Sequence, residues 1–415
     1  MAPRDAGPRG EGEPGRRRAG GERRPDRRRA GGAWVLLAPL ACAPGKGAEA
    51  APAAPAALAA PASPAVQGAA PRGVTASSPA PVPAPPPPAP SADPAASGPL
   101  CRGGESPAAA ALAAGDAALA ADRLAEARRA YQRALDLAPG EPAPRVGLAR
   151  VGLAETGLAL EFAAAPGEPA LTALGRELAA VVAAHPGYAP ALLERGRIAL
   201  VLGDAPAALE VLTRAVAAAP RDAEALSALG VAELATGRTE AALGHFQRAA
   251  ALEPRVPERL THLGTAYMMR GDVARAIKSF EAAHRLAPDD ARVVGDLGTA
   301  LLAAGEPARA LPYLRRAVLL APGRATLHSN LGYGLQLLGD LAGAEQSYGQ
   351  ALALDPGLGS AWINLGTAQA ARGDYDEAER SLRRALALDP SDPRAQQNLA
   401  DLAELRRAKG GPPAR

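Results

Sequence analysis

Cysteine, methionine and aromatic side chains are all scarce in this sequence. It has two Cys, three Met and 3% aromatic residues in 415 positions. Cys42 and Cys101 both precede residue 105, so the later part of the chain has neither a disulfide framework nor a cysteine-based metal site available to it. Glycine (45) and proline (42) are abundant by contrast, which favours either a large disordered part or a repeat with turns at fixed intervals.

Long hydrophobic runs are also missing. The only apolar run before residue 105 is Ala33–Ala41, far shorter than the ~20 residues that span a bilayer. Arg27–Arg29 precede it and Cys42 follows it, an order that resembles a lipoprotein signal peptide. Pro39 and Leu40 depart from that pattern, since an aliphatic and a small residue are usual there. The resemblance implies lipidation of Cys42 and a place in a bacterial cell envelope, either facing the periplasm or secreted; the alternative is a cytoplasmic protein.

No large excess of one charge sign marks the chain, whose formal net charge is +3. Residues 1–30 hold ten Arg and five acidic residues, so this head carries +5 and the remaining 385 residues sum to −2. The later residues therefore lack the basic balance of a nucleic-acid-binding domain, and we expect no nucleic-acid partner.

Two N-terminal segments have low complexity. Residues 1–32 form an Arg/Gly/Pro-rich head, and residues 43–104 are almost wholly Ala, Pro, Ser and Gly. Neither can bury enough apolar surface to offset the entropy lost on folding, so we expect both to be disordered. Within the second segment, Pro79–Pro90 (PAPVPAPPPPAP) should form a stiff polyproline II spacer.

From about residue 105 a period of 34 residues runs through the sequence, and five sets of residues recur in register. The sets are Pro186, Pro220, Pro254, Pro288, Pro322, Pro356 and Pro390; Gly196, Gly230, Gly264, Gly298, Gly332 and Gly366; Gly203, Gly237, Gly271, Gly305, Gly339 and Gly373; Ala208, Ala242, Ala276, Ala310, Ala344 and Ala378; and Ala215, Ala249, Ala283, Ala317, Ala351 and Ala385.

Each set has a physical role in a two-helix repeat. Proline separates repeats because it cannot donate a hydrogen bond inside a helix. The glycines from Gly203 to Gly373 lie between the two helices, where a left-handed cap residue is needed. A glycine inside a helix costs up to ~1 kcal/mol relative to Ala, so the set from Gly196 to Gly366 implies a packing reason. We predict that it lets helices A and B of neighbouring pairs approach closely.

These features resemble the tetratricopeptide repeat (TPR) family. Residues 359–392 look like a close consensus repeat, with family residues at Trp362, Leu365, Gly366, Gly373, Ala378, Ala385 and Pro390. The resemblance implies an all-α TPR solenoid over residues 105–409, a right-handed superhelix of antiparallel helix pairs. Full repeats are assigned to 105–138, 189–222, 223–256, 257–290, 291–324, 325–358 and 359–392.

Three segments do not fit a full repeat. Residues 139–188 read as a degenerate repeat with an insertion near Leu158–Glu168, and Ala149 replaces its helix glycine. Residues 393–409 resemble a capping helix whose outer face is polar, as an exposed solenoid end requires. Residues 410–415 form a short tail.

Motifs of catalysis and metal binding are missing from the sequence. It contains no phosphate-binding glycine loop, no Gly-x-Ser-x-Gly and no His-Glu-x-x-His. The five histidines have no second ligand at metal spacing, and we interpret them as surface or groove residues. We therefore expect no cofactor, no metal and no enzymatic activity.

The family resemblance also implies a binding groove, into which the second, fifth, sixth and ninth residues of helix A point. The ninth positions are Thr265, Thr299, Tyr333 and Thr367, and the sixth positions are His262, Asp296, Asn330, Asn364 and Asn398. An asparagine amide offers a donor and an acceptor, which matches an extended peptide backbone. The ladder of three asparagines resembles that of the repeat arm of O-linked N-acetylglucosamine transferases. It is equally open that asparagine is simply common in the repeat consensus.

The fifth positions argue against one subclass of the family. Chaperone-binding domains use Lys, Asn and Arg as a two-carboxylate clamp, and here the fifth positions contain no Lys: they are Ser227, Thr261, Gly295, Ser329 and Ile363. The sequence instead favours a non-catalytic adaptor that binds an extended peptide or a partner surface. The alternatives are the regulatory arm of a glycosyltransferase-like enzyme and an envelope lipoprotein that assists pilus or secretion assembly. Because the chain ends 25 residues after Pro390, we expect no catalytic domain; the oligomeric state is left open.

Overall fold

A computed structural model describes residues 106–157 and 163–408, and within these ranges it contains seventeen α-helices and no β-strand. The helices are α1 (Pro107–Ala120), α2 (Leu124–Leu137), α3 (Pro142–Glu155), α4 (Pro169–Ala184), α5 (Ala189–Val201), α6 (Ala205–Ala218), α7 (Ala223–Ala235), α8 (Thr239–Leu252), α9 (Pro257–Arg270), α10 (Val273–Leu286), α11 (Ala291–Ala303), α12 (Pro307–Leu320), α13 (Ala325–Leu337), α14 (Leu341–Leu354), α15 (Gly359–Arg372), α16 (Tyr375–Leu388) and α17 (Pro393–Ala408). The predicted all-α class is confirmed.

Several predictions concern residues outside the described ranges. These are the disordered head 1–32, the signal-like segment 33–42 with Cys42, the linker 43–104 and the tail 410–415. Among the described helices, none has both the length and the apolar character needed to cross a bilayer.

The helices pack as antiparallel pairs. Each odd-numbered helix (helix A) packs on the following even-numbered helix (helix B), which in turn packs on helix A of the next pair, and α17 ends the array. Helix A begins at residues 189, 223, 257, 291, 325, 359 and 393, which is the predicted period of 34. The predicted solenoid of helix pairs is therefore confirmed.

The turn inside each pair depends on one residue with positive φ. From Gly203 to Gly373 the turn glycines have φ of 76–95°, a conformation that glycine adopts without strain. In the first pair Asp122 takes this place with φ 57°. An aspartate often follows, as where Asp272 accepts a hydrogen bond from the Arg275 backbone N–H at 3.2 Å and begins helix α10.

The first pair differs in register from the repeat boundary 105–138. In the repeat that starts at residue 189, helix B (α6) begins 16 residues later, at residue 205. In the first pair, helix B (α2) begins at residue 124, so the equivalent start of the first repeat is residue 108. Gly115 faces Tyr131 in this pair as Gly230 faces Phe246 in a later one. The first repeat therefore corresponds to 108–141. Its turn residue is Asp122 and not glycine, so the spacing of the turn glycines could not locate this repeat boundary.

Residues 139–188 contain α3 and α4, joined by a connection over 156–168 of which 158–162 fall outside the described ranges. The Ala163 N–H donates to the Leu200 carbonyl at 2.9 Å, and the Ala165 N–H donates to the Val201 carbonyl at 3.1 Å. These bonds tie the connection to the carboxyl end of α5. The additional residues of this repeat thus lie between its two helices.

The glycines inside helix A accommodate a large side chain from helix B. A Cβ added to Gly230 would lie 2.6 Å from Cε1 of Phe246, and one added to Gly298 would lie 2.8 Å from Cδ2 of Leu314. In both cases the partner lies in the same repeat. The prediction that these glycines serve contacts between neighbouring pairs is therefore wrong; they allow the close approach of the two helices within a pair. The spacing identified the residues that need room but not the helix that fills it.

Curvature follows from unequal contacts on the two sides of the array. Consecutive helices A contact one another, whereas consecutive helices B within the described ranges do not. Helices A therefore lie on the inner side, and their exposed faces line a concave groove.

Candidate functional site

The sixth and ninth positions of helix A meet across neighbouring repeats. Asn330 Nδ2 donates to Thr299 Oγ1 at 3.0 Å, and Asn398 Nδ2 donates to Thr367 Oγ1 at 3.2 Å. Each threonine hydroxyl also donates to a carbonyl one turn earlier in its own helix, Gly295 at 2.9 Å and Ile363 at 3.0 Å. We call this line of sixth- and ninth-position side chains the groove seam.

A charged pair occupies the same two positions near the amino end. Arg150 Nε donates to Glu194 Oε1 at 2.7 Å, and Glu194 is only 2% exposed. Burial by itself raises the pKa of Glu194, but the guanidinium groups of Arg197 and Arg150 outweigh this effect and hold the pKa below its usual value. Sequence reasoning missed this pair, although Glu194 is the sixth residue of repeat 189–222.

The charges continue along α7 and α9. Arg259 is 5% exposed; its Nη2 donates to Glu224 Oε2 at 2.6 Å and its Nε donates to Glu253 Oε2 at 2.8 Å. Arg197 Nη1 lies 3.7 Å from Glu224 Oε1. These charged residues of α5, α7 and α9 are therefore paired with other side chains of the protein. Sequence reasoning missed these residues too, because their partners lie in other repeats.

The seam is interrupted between α13 and α15. Asn364 is 31 residues after Tyr333, the separation found for Asn330 and Thr299, but a phenol takes the place of the threonine hydroxyl. Within the described part of the chain, no intramolecular hydrogen bond engages the Asn364 amide, which is half-buried. Tyr333 is 41% exposed. An aromatic face and an amide donor are therefore both available at this point in the groove.

The other predicted site residues lie in less accessible places. His262 is 4% exposed and its ring centroid lies 5.3 Å from that of Phe246, so the expectation of a surface or groove histidine is wrong here. The ring packs between α9 and α8 because it stacks against Phe246 of the preceding repeat. Asp296 and Thr265 are half-buried, and the Thr265 hydroxyl donates to the Thr261 carbonyl at 3.0 Å.

The fifth positions form part of the packing between helices. Ser227, Thr261, Ser329 and Ile363 are 0%, 3%, 6% and 4% exposed. They do not line the groove, so the accessible surface depends on the second, sixth and ninth positions. Across residues 106–157 and 163–408, no group of three or more His, Cys, Asp or Glu side chains is arranged to hold a metal ion.

Two models of known protein families match this chain, and both carry the same description. A family model described as tetratricopeptide repeat matches residues 267–331 and 335–402, and a second model with the same description matches 102–161, 176–223, 193–257 and 227–291. Together they match more than half of the chain. No curated protein matches it.

Several solved structures are similar. The crystal structure of the APC/C hetero-tetramer Cut9-Hcn1 has 18% sequence identity and a TM-score of 0.54, covering 67% of this chain and 52% of that one; this chain thus spans about half the length of that relative. TTC0263, a thermophilic TPR protein in Thermus thermophilus, has 29% sequence identity and a TM-score of 0.40, and the match covers 43% of this chain and 98% of TTC0263. YrrB, a TPR protein with an unusual peptide-binding site, has 25% sequence identity and a TM-score of 0.36, and the match covers 46% of this chain and 97% of YrrB. The first of these likenesses shows the fold alone.

Proposed function

Because the chain belongs to the tetratricopeptide-repeat family, whose repeats support a role as a protein-interaction scaffold, we propose that it is a non-catalytic adaptor that binds an extended peptide segment of a partner protein in its concave groove. The observation that carries this proposal is the series of amides along the groove seam. Asn330 and Asn398 each use one N–H on a threonine, which leaves a second N–H and the carbonyl for a ligand. Asn364 has its whole amide to offer.

The amides suit a peptide backbone because the backbone presents N–H and C=O groups at regular intervals. They contribute little selectivity for ligand sequence, since they contact groups that every peptide has. Selectivity is then left to exposed groove side chains such as Tyr333, which is 41% exposed.

The test begins with the full chain as bait, with captured proteins identified by mass spectrometry and their extended segments titrated as synthetic peptides. We expect Asn364→Ala to weaken the binding of such a peptide and Gln350→Ala to leave it unchanged. Gln350 is the matched control because it is an exposed amide on α14, a helix B. Equal affinities for the parent and Asn364→Ala would rule out the seam as the binding surface.

For location, we propose attachment to a bacterial envelope membrane through a lipid on Cys42. The support is the order of Arg27–Arg29, the apolar run Ala33–Ala41 and Cys42. In this proposal the groove serves a partner outside the cytoplasm.

A further inference from the structure

Two consecutive helices A carry almost no charge. α13 (Ala325–Leu337) contains no Asp, Glu, Lys or Arg, and α15 (Gly359–Arg372) contains only Arg372, at its last position. Arg372 is held by Asp374 at 2.6 Å and by Glu345 at 3.1 Å. By contrast, the earlier helices A carry the paired Glu194, Arg197, Glu224 and Arg259. We call the groove surface of α13 and α15 the neutral groove.

The side chains of the neutral groove suit a ligand that offers carbonyl groups and apolar rings. Asn364 has an unengaged amide with two N–H donors. Tyr333 is 41% and Leu337 is 45% exposed, and they lie four residues apart, hence on one face of α13. An exposed aromatic ring beside hydrogen-bond donors is the surface on which proline-rich segments dock.

The chain itself contains a segment with the complementary chemistry. Residues 73–92 (GVTASSPAPVPAPPPPAPSA) have no charged side chain, and eight of the twelve residues in Pro79–Pro90 are proline. Proline has no backbone N–H, so this tract presents mainly carbonyl acceptors. A polyproline II conformation costs little entropy to bind because it is largely preformed. When such a segment binds in the neutral groove, no charged side chain of the ligand has to leave water.

The tract can reach this surface within one molecule. The chain from Pro85 to the start of α1 at Pro107 spans up to about 70 Å when extended. Between α1 and α13 there are six steps from one helix A to the next, each roughly 8–10 Å, which amounts to about 50–60 Å. The tether therefore suffices when it is nearly extended; because its average length as a flexible chain is only about 25 Å, the effective concentration of the tract at the groove is modest.

We propose that Pro79–Pro90 docks in the neutral groove of the same molecule, so that the groove carries its own proline-rich ligand and an incoming partner peptide must displace it. This proposal rests on the groove function proposed above. It adds a specific ligand class, a charge-free proline-rich segment, and a specific location at Tyr333, Leu337 and Asn364.

Cross-linking in the full chain tests the contact directly. Leu337 is replaced by photoreactive benzoylphenylalanine, which leaves Tyr333 and Asn364 intact, and the cross-linked peptides are identified by mass spectrometry. We expect cross-links to residues 73–92. The matched control is the same replacement at Leu319, which is 73% exposed on α12, a helix B, and should give none. Mixing isotope-labelled with unlabelled chains separates contacts within one molecule from contacts between molecules. Cross-links that form only between chains, or equal cross-linking from position 319, would overturn the proposal.

Competition measures the energetic effect. In a length-matched variant, the eight prolines of the tract are replaced by Ser, and a synthetic PAPVPAPPPPAP peptide is titrated into both chains. We expect the variant to bind the peptide about tenfold more tightly than the unaltered chain, because its own tract no longer competes. Adding Asn364→Ala to the variant should weaken binding about 2- to 10-fold. If partner peptides bind but PAPVPAPPPPAP binds neither chain, the proline-tract proposal fails and the groove function stands. If Asn364→Ala also leaves the binding of partner peptides unchanged, the groove function fails as well.

Discussion

Asn330 donates its amide to the Thr299 hydroxyl at 3.0 Å, across the boundary between two repeats. The bond joins the sixth position of one helix A to the ninth position of the helix A before it. Asn398 and Thr367 repeat it at 3.2 Å. The residue at the equivalent position before Asn364 is Tyr333, and within the described residues the Asn364 amide lacks this bond. Three asparagines that look equivalent in sequence therefore have two different roles. Two of them join neighbouring helices, and within the described residues the third makes no such bond.

Comparing two alanine variants isolates the bond to Thr299. Both Asn330→Ala and Asn364→Ala gain helix propensity, since Ala is the better helix former. Only Asn330→Ala loses a hydrogen bond, so it should be less stable than Asn364→Ala by about 0.5–1.5 kcal/mol. Urea unfolding of the two full-length variants measures this difference. Equal midpoints and slopes would mean that the bond contributes nothing to stability.

Peptide binding by the triple variant Asn330→Ala, Asn364→Ala, Asn398→Ala tests the ladder as a whole. Three lost hydrogen bonds of ~0.5–1.5 kcal/mol each would weaken binding by roughly 1.5–4.5 kcal/mol, or ~10- to 2000-fold. Several unrelated extended peptides should lose affinity alike, because the amides contact the backbone. The triple variant must first be shown to be folded, since two of its substitutions also remove contacts between helices. Binding within twofold of the parent would place the binding surface elsewhere.

Gly298→Leu should destabilise the array by several kcal/mol. A Cβ at this position would lie 2.8 Å and 2.9 Å from two atoms of Leu314, at the close contact between α11 and α12, so a larger side chain overpacks the pair. Gly323→Leu is the control, because nothing lies within 4 Å of a Cβ there. Thermal unfolding followed by circular dichroism compares the two. The same melting temperature for both would show that the tight contact is elsewhere.

Glu194→Gln should cost about 3 kcal/mol of stability at pH 7, because it removes one partner from a buried ion pair. Since the folded-state pKa of Glu194 is lowered, the stabilisation is fully present above the unfolded-state pKa of about 4.3 and is lost as the pH falls through the folded-state value. The gap in stability between parent and variant should therefore shrink below about pH 4. Denaturant unfolding at pH 7 and pH 3 checks this.

Glu126→Gln is the control for that measurement. Glu126 pairs with Arg123, but both side chains are about half exposed, 49% and 56%. Exposed pairs contribute about 0–1 kcal/mol, so this variant should stay close to the parent at both pH values. A Glu194→Gln variant as stable as Glu126→Gln would contradict the importance of the buried pair.

Detergent partitioning tests the proposed lipid on Cys42. The native protein should enter the detergent phase and have a mass that corresponds to a lipidated chain beginning at Cys42. Cys42→Ala should remain aqueous, and Cys101→Ala should behave as the parent does. A native protein that keeps Met1, or that stays wholly aqueous, would rule out the anchor.

The sequence by itself determined the helix pairs, their period and most of their ends. These features depend on local physics: proline ends a helix, glycine adopts the left-handed turn conformation, and apolar residues at helical spacing form a buried face. Asp122 shows the limit of this reasoning. It occupies a glycine position in the first turn, and without the glycine the register of the first pair was misplaced by three residues.

Tertiary structure alone decided which side chains meet. Arg150 and Glu194 are 44 residues apart, and Asn330 and Thr299 are 31 apart, so both pairs depend on how consecutive helices A are placed around the curve. The same placement buries His262 against Phe246 and leaves Tyr333 exposed. A repeat pattern specifies equivalent positions. Whether an equivalent side chain is joined to its neighbour, buried or open to a ligand depends on the residue facing it from the next helix, and that residue differs from repeat to repeat.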